Sequence, residues 1–378
     1  MDKSKNGEKE KPRLAPSDRI LSVDVLRGFD MLFLIGGNGV AIAITKLFGG
    51  RFQELFLPQF DHTDWAGFTF YDLIFPLFVF IIGMSTVFSL SKIIAAEGKK
   101  AAYKRLIRRS ILLFLLGIFY YGGFSNKLAD IRLLGVLQRL ALCYFFTGLI
   151  FIHFRPKGMV IWFFSFLITY WAFLCFVPVP GIGQISFAEG TNWANYIDQH
   201  FLPLRKHNGT WDPEGLLSTI PAICSCLLGV FAALVIKNKE FNDKKKLGFF
   251  LGGGALMVLL GYLWGIQFPV IKKIWTSSYV MVAGGYSLLL LGFFYWLIEM
   301  LNFKKWTLPF VWIGMNAISI YMAKNMVDFN GLAERFVGGD IQRLVGEKVG
   351  YLLLTLFSLA LTLSLLRFLY NRKIFLRL

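Results

Sequence analysis

The sequence predicts an all-α polytopic membrane protein with about ten transmembrane helices and both termini in the cytoplasm. Three observations carry that prediction. Of 378 residues, 56% are hydrophobic and 17% charged, where a soluble domain averages about 45–50% and about 25%. The apolar residues, 40 Phe among them, fall in blocks of about 20, long enough to cross a hydrocarbon core. Lys and Arg cluster in short runs beside these blocks, as the positive-inside bias requires.

Taken in order, the spans are expected at about 20–47, 68–91, 107–124, 132–153, 158–177, 214–236, 247–266, 276–300, 306–327 and 348–369. With the N-terminus inside, the inner segments carry 26 of the 40 Lys and Arg, including the tail up to Arg19, the dense run from Lys92 to Arg109, and Lys244, Lys245 and Lys246. The outer segments carry 11, and Arg27, Arg139 and Lys324 fall within spans. That asymmetry assigns the formal charge of +17 to membrane topology. No zinc-ligand spacing or RNA-binding signature accompanies it, so no nucleic-acid partner is expected. Residues 1–18 form a polar, basic tail that lacks the apolar region and cleavage site of a signal peptide. Residues 19–378 read as one membrane domain, with a long outer loop at about 178–213 that is either a lid or binding mouth, or a plain connector. Cys143, Cys175, Cys224 and Cys226 all lie in apolar blocks, where a buried small hydrophobe is the default and no metal site is expected.

The informative residues are those that hydrocarbon excludes, since a central Arg, Lys or Asp costs roughly 2.5–3.5 kcal/mol on insertion scales. The first span carries Asp24, Arg27 and Asp30 at spacings of three, then Asn38, eleven residues beyond Arg27 and on nearly the same face. The next outer segment sets His62 among Asp61, Thr63 and Asp64, just before a span that contains Asp72. A carboxylate there can fix the tautomer of an imidazole and raise its basicity. Further spans place Gln138 and Arg139, Glu214, Ser277 and Ser278, and Asn316 with Lys324, in the outer half. Five helices thus put polar groups at one depth, and four of them point positive dipole ends into that layer, favouring developing negative charge. The pattern describes a polar cavity open to the outside with Arg27 toward the other face. It suits a secondary transporter for a sugar or organic anion, or an enzyme fed from both sides. The paired, broken helices common in transporters are not evident in the sequence.

These residues also carry a resemblance. The stretches Arg19-Ile-Leu-Ser-Val-Asp-Val-Leu-Arg-Gly28, His62-Thr-Asp-Trp-Ala-Gly67 with Asp72-Leu-Ile-Phe-Pro-Leu-Phe-Val-Phe-Ile81, Gly135-Val-Leu-Gln-Arg-Leu140, Trp211-Asp-Pro-Glu-Gly-Leu216, Trp275-Thr-Ser-Ser-Tyr279 and Gly314-Met-Asn316 occur in order. The chain is similar to bacterial members of the heparan-α-glucosaminide N-acetyltransferase family, within the transmembrane acyltransferases. The resemblance covers about residues 19–325. It implies a multi-pass protein of a bacterial cytoplasmic membrane, a homodimer at family level, acetyl-CoA as co-substrate, and an acceptor that is the amine of a terminal glucosamine-type sugar or oligosaccharide. It also leaves room for an acyltransferase of the same fold acting on a sugar hydroxyl. The family's active-site His falls on His62 and its Asn on Asn38, with Lys46 to Gln59 reading as an insertion between them. No counterpart is read of the lumenal domain or first extra span of animal members. On this reading His62 is the general base and Asn38 donates to the thioester oxygen. Arg27, with Asn38, holds the CoA moiety. Asp64, Asp72, Gln138, Arg139, Glu214, Ser277, Ser278, Asn316 and Lys324 support the site.

Overall fold

The computed structural model describes residues 20–125 and 127–376; the tail at 1–18, Arg19, Asn126 and residues 377 and 378 lie outside them. The helices are α1 Leu21–Leu32, α2 Asn38–Phe48, α3 Gly50–Phe56, α4 Phe70–Tyr120, α5 Val136–His153, α6 Pro156–Phe176, α7 Trp193–Phe201, α8 Thr219–Lys237, α9 Asp243–Gly265, α10 Ser277–Tyr295, α11 Leu308–Met315, α12 Ala317–Met326, α13 Phe329–Val337, α14 Asp340–Val345 and α15 Glu347–Asn371. Among the described residues no strand forms beyond two isolated bridges, and eight helices are long and apolar enough to cross a membrane. The chain is an all-α polytopic membrane protein.

Four spans differ from their expected form. Those placed at 68–91 and 107–124 are joined without a loop: α4, Phe70–Tyr120, is two helical arms that meet at Gly98, the one residue inside it with non-helical angles, φ 82° and ψ 178°. A residue there needs a positive φ, which glycine adopts freely. The first span is interrupted at a π-helical turn, Phe33–Gly37, in which Gly36 has φ 150° and ψ −16°. The span placed at 306–327 is two short helices, α11 and α12, parted at Asn316. Discontinuous helices are thus present where none was evident from hydropathy, because a break of one residue leaves the apolar run intact.

Close backbone approaches set the helices against one another. A Cβ on Gly83 would lie 1.8 Å from the Cys226 carbonyl oxygen, and one on Gly229 would lie 1.8 Å from that of Phe80. Small residues permit such contacts between membrane helices. Trp275 fixes the direction of this pair: it packs on Phe75 near the head of α4 and donates to Ser225 near the head of α8. The first arm of α4 therefore runs parallel to α8. Gly28 and Gly314 face each other similarly, through Phe310 and Asp24. Further along both, Lys324 bonds the Leu34 carbonyl, so α1 runs parallel to α11 and α12. Gly117 packs on Gln138 and Gly148 on Leu106, so the second arm of α4 opposes α5. The heads of α5 and α8 lie together, since Arg139 donates to the Gly215 carbonyl at 3.2 Å. The chain therefore reverses at Gly98, and the basic run from Lys92 to Arg109 is the helical elbow of that reversal.

The same logic sets depth. Arg27 Nη2 donates to Ser85 Oγ at 2.8 Å, whereas Phe33 packs edge-on against Phe70. Arg27 therefore lies 15 residues down α4 from its first residue, about 22 Å at 1.5 Å per residue.

Candidate active site

The heads of four helices converge on one cavity. Its wall includes Asp72 in the first turn of α4, Val136 and Leu137 opening α5, Pro213 and Glu214 before α8, and Trp275 just before α10. The cavity has a volume of about 450 Å³ and its floor is apolar, with Leu34, Phe78 and Ile318. The wall residues His62, His207 and Asn208 mark its mouth. Positive dipole ends directed at such a space favour an anion or a developing oxyanion.

Asp72 organises the mouth. It is the N3 residue of a capping box whose N-cap is Thr69, so its Oδ2 accepts from the Thr69 backbone N–H at 3.3 Å and hydroxyl at 3.1 Å. The same oxygen accepts from the Thr63 N–H and hydroxyl at 3.3 and 3.1 Å. Its Oδ1 lies 2.8 Å from His62 Nδ1 and 3.2 Å from Lys272 Nζ. The carboxylate is 1% exposed, the imidazole 49%. A capping residue thus doubles as the clamp on the histidine. With Nδ1 turned to the carboxylate, Nε2 is the nitrogen left for chemistry. The His62 ring also lies over Tyr71, centroids 4.7 Å apart.

Pro76 holds this turn in a particular form. It lacks the N–H that would pair with the carbonyl four residues earlier, which belongs to Asp72. The Tyr279 hydroxyl, fully buried in α10, donates to that carbonyl at 2.8 Å. The proline gap in α4 is therefore closed by a side chain from α10.

The opposite wall is an ion-pair network. Arg132 donates to Asp212 Oδ2 at 2.8 Å and Oδ1 at 2.6 Å, and to Glu214 Oε2 at 2.5 Å, and its guanidinium lies over the Tyr121 ring. Burial opposes the Arg132 charge, but the bonds to Asp212 and the nearby Glu214 outweigh it and raise its pKa. Burial and the Arg132 charge both lower that of His207. Beneath, Asp198 of α7 accepts from the Leu216 and Asp212 N–H groups; burial pushes its carboxyl up to about 6 against those bonds. The loop at 178–213 thus supplies part of the cavity mouth through His207.

Of the residues singled out in the sequence, His62, Asp72 and Glu214 line the cavity. Arg139 lies behind the wall, fully buried, donating to the Gly215 carbonyl and Ser218 Oγ and stacked over Trp275. Gln138 is buried between Gly117 and Gly135. Ser277 and Ser278 donate to the backbone carbonyls of Leu167 and Phe268. Asn316 donates to Trp312 O at 3.4 Å, and Lys324 bonds Leu34 O in the π turn. Asp64 is exposed, its carbonyl taken by Lys273. Asn38 donates to Phe60 O at 3.1 Å. Arg27 is held by Ser85 and Asp24. Neither Asn38 nor Arg27 lines the cavity. Among the described residues no group of three His, Cys, Asp or Glu is placed to hold a metal.

Lys272, which the sequence pattern does not single out, belongs to the site. It precedes Trp275-Thr-Ser-Ser-Tyr279 by three residues, the only local hint, and lies 210 positions from the histidine it touches.

The architecture defines a class: a polytopic membrane protein whose helix heads surround a cavity with a carboxylate-bound histidine at its mouth. Comparison with known proteins narrows it. The chain is 25% identical to mouse heparan-alpha-glucosaminide N-acetyltransferase, over 84% of this chain and 55% of that protein. It is 26% identical to the human protein of that name, over 82% and 53%. No family model matches. The chain is a distant homologue of these N-acetyltransferases, as the six motifs indicated, and it spans about half the length of the curated relatives it matches.

Proposed function

We propose that the chain is a transmembrane N-acetyltransferase moving the acetyl group of acetyl-CoA to the amine of a terminal glucosamine-type sugar at the outer mouth of the cavity. The observation that carries this reading is the His62–Asp72 contact at 2.8 Å at the edge of a space bounded by four helix heads. An amine must lose a proton as it attacks a thioester, and the tetrahedral oxyanion needs stabilisation. His62 Nε2 accepts the amine proton while Asp72 fixes the ring. As the tetrahedral species collapses, the C–S bond breaks, and the imidazolium returns a proton to the departing thiolate. Asn38 stands outside the cavity lining, four residues past Leu34, which lines it; of its two amide donors, one holds Phe60 O and the second serves the oxygen of a thioester that reaches the cavity along α1. Arg27, at the depth of Ser85, meets the CoA phosphates, so that pantetheine runs along α1. Glu214 and Arg132 face the sugar. Gln138, Arg139, Ser277 and Ser278 keep the helix heads in place, Asn316 and Lys324 hold the interrupted helices at α11–α12 and the π turn, and Asp64 fixes the neighbouring Lys273.

The breaks at Gly36 and Asn316 favour a second reading, a secondary transporter for a sugar or organic anion, since such proteins bind substrate at interrupted helices. Purified protein given acetyl-CoA with a labelled acetyl group and glucosamine as acceptor separates the two. Labelled N-acetylglucosamine supports the transferase. Ion-coupled uptake into proteoliposomes without acetylation supports the transporter. Arg27→Ala is expected to weaken acetyl-CoA binding by about tenfold, the loss of roughly one charge-assisted contact; an unchanged affinity in detergent titration removes Arg27 from that role.

A further inference from the structure

His62 Nδ1 has two close polar neighbours, Asp72 Oδ1 at 2.8 Å and Lys272 Nζ at 3.0 Å, and these two are 3.2 Å from each other. An ammonium has donors only. If Nζ donated to Nδ1, the imidazole lone pair would be used there and nothing would bridge Nδ1 to the carboxylate. The arrangement that satisfies every atom has Oδ1 accepting from both Nδ1–H and Nζ–H, which leaves a cation beside the ring nitrogen.

We propose that Lys272 is a positioning residue that sets the charge of His62: its ammonium neutralises Asp72, so the carboxylate orients the ring without holding it as imidazolium. A histidine paired with a lone buried carboxylate is stabilised in its charged form, and such a ring has no free Nε2 lone pair. Lys272 offsets that effect while preserving the hydrogen bond that selects the tautomer. Its side chain is 16% exposed, and burial lowers its pKa below the usual lysine value, with Asp72 partly restoring it. The other charged or titratable groups facing this point are Asp61, whose Oδ1 accepts from the His62 N–H, and Tyr71 under the ring. Lys273 lies beside Lys272, and Arg132, His207 and Glu214 stand on the cavity wall. Among the described residues, Asp72 and Lys272 are the charged groups that reach the ring nitrogen.

The role of this charge balance rests on the proposed transferase reading, but its test does not need a substrate. Carbethoxylation by diethyl pyrocarbonate modifies neutral imidazole, and the peptide bearing His62 is quantified by mass spectrometry across pH. Lys272→Met is expected to move the His62 midpoint upward by about one pH unit or more, while Lys272→Arg keeps it near the wild-type value. An unmoved midpoint in Lys272→Met overturns the proposal. Should that variant fail to fold, Asp72→Asn is expected to move the midpoint downward, and an unmoved midpoint there overturns it equally. In parallel, acetyl transfer to glucosamine by Lys272→Met is expected to fall at neutral pH and to recover in more alkaline buffer. A moved midpoint with no transfer by the wild type retains the charge assignment and rejects the transferase. Transfer by the wild type with an unmoved midpoint does the reverse.

Discussion

The pairing of Pro76 with Tyr279 makes a sharp quantitative test, because it links two distant helices through one carbonyl. Tyr279→Phe removes a single hydroxyl from a fully buried ring and leaves the Asp72 carbonyl without the 2.8 Å bond it has. A buried group left unsatisfied costs about 1–3 kcal/mol. Pro76→Ala restores a backbone N–H that can reach that carbonyl in an ordinary helix. The loss caused by Tyr279→Phe is therefore expected to shrink below about 1 kcal/mol when Pro76→Ala is already present, a coupling of about 1–2 kcal/mol. Unfolding of the four proteins of this cycle in mixed detergent, followed by circular dichroism, measures it. Additivity within about 0.5 kcal/mol would refute the claim that the tyrosine completes the proline gap.

Other expectations follow from the same geometry. Arg132→Gln leaves Asp212 and Glu214 buried without their cation and is expected to destabilise by about 3–5 kcal/mol, read as a lowered unfolding midpoint; a change below about 1 kcal/mol contradicts the network. Gly28→Val puts side-chain atoms where even a Cβ lies 1.9 Å from Phe310 O, so α1 and α11 must part and thermal stability must fall, whereas Gly248→Ala, with nothing within 4 Å, is expected to be silent. Asp198 gives a pH dependence. Its folded pKa of about 6 lies above the ordinary value of 3.8, so between those values the folded protein holds a proton that the unfolded chain has released. Stability therefore falls as pH rises through that window, by roughly 3 kcal/mol for values about two pH units apart. Unfolding midpoints at about pH 4.5 and pH 7 test this, and Asp198→Asn is expected to flatten the difference.

The fold class and the histidine's partner are legible in the sequence for a common reason: both are local. Apolar blocks and their flanking charge report helix by helix, and His62 and Asp72 are ten residues apart across a capping turn. What is not legible depends on distant contacts. Lys272 reaches the site only because α10 begins beside α4. Arg139, Ser277 and Ser278 do lie near helix heads, yet their hydrogen bonds go to loop residues, the head of α8 and the backbone of α6, a use that residue type cannot distinguish from substrate binding. The breaks at Gly36 and Asn316 are silent in hydropathy because each alters the backbone at one point without interrupting the apolar run. Gly98 is hidden within a basic run that reads as an inner loop and is helical on either side of the reversal.

The central claim is that His62 takes the proton of an acceptor amine at the cavity mouth. Its most direct measurement is the kcat/KM for acetyl transfer from acetyl-CoA to glucosamine by purified His62→Ala, alongside its unfolding midpoint. The expected result is a loss of about 10²–10⁴-fold in a protein that unfolds with the wild type, since the ring is half-exposed and carries little of the packing. Transfer within about threefold of wild type, at full stability, contradicts it.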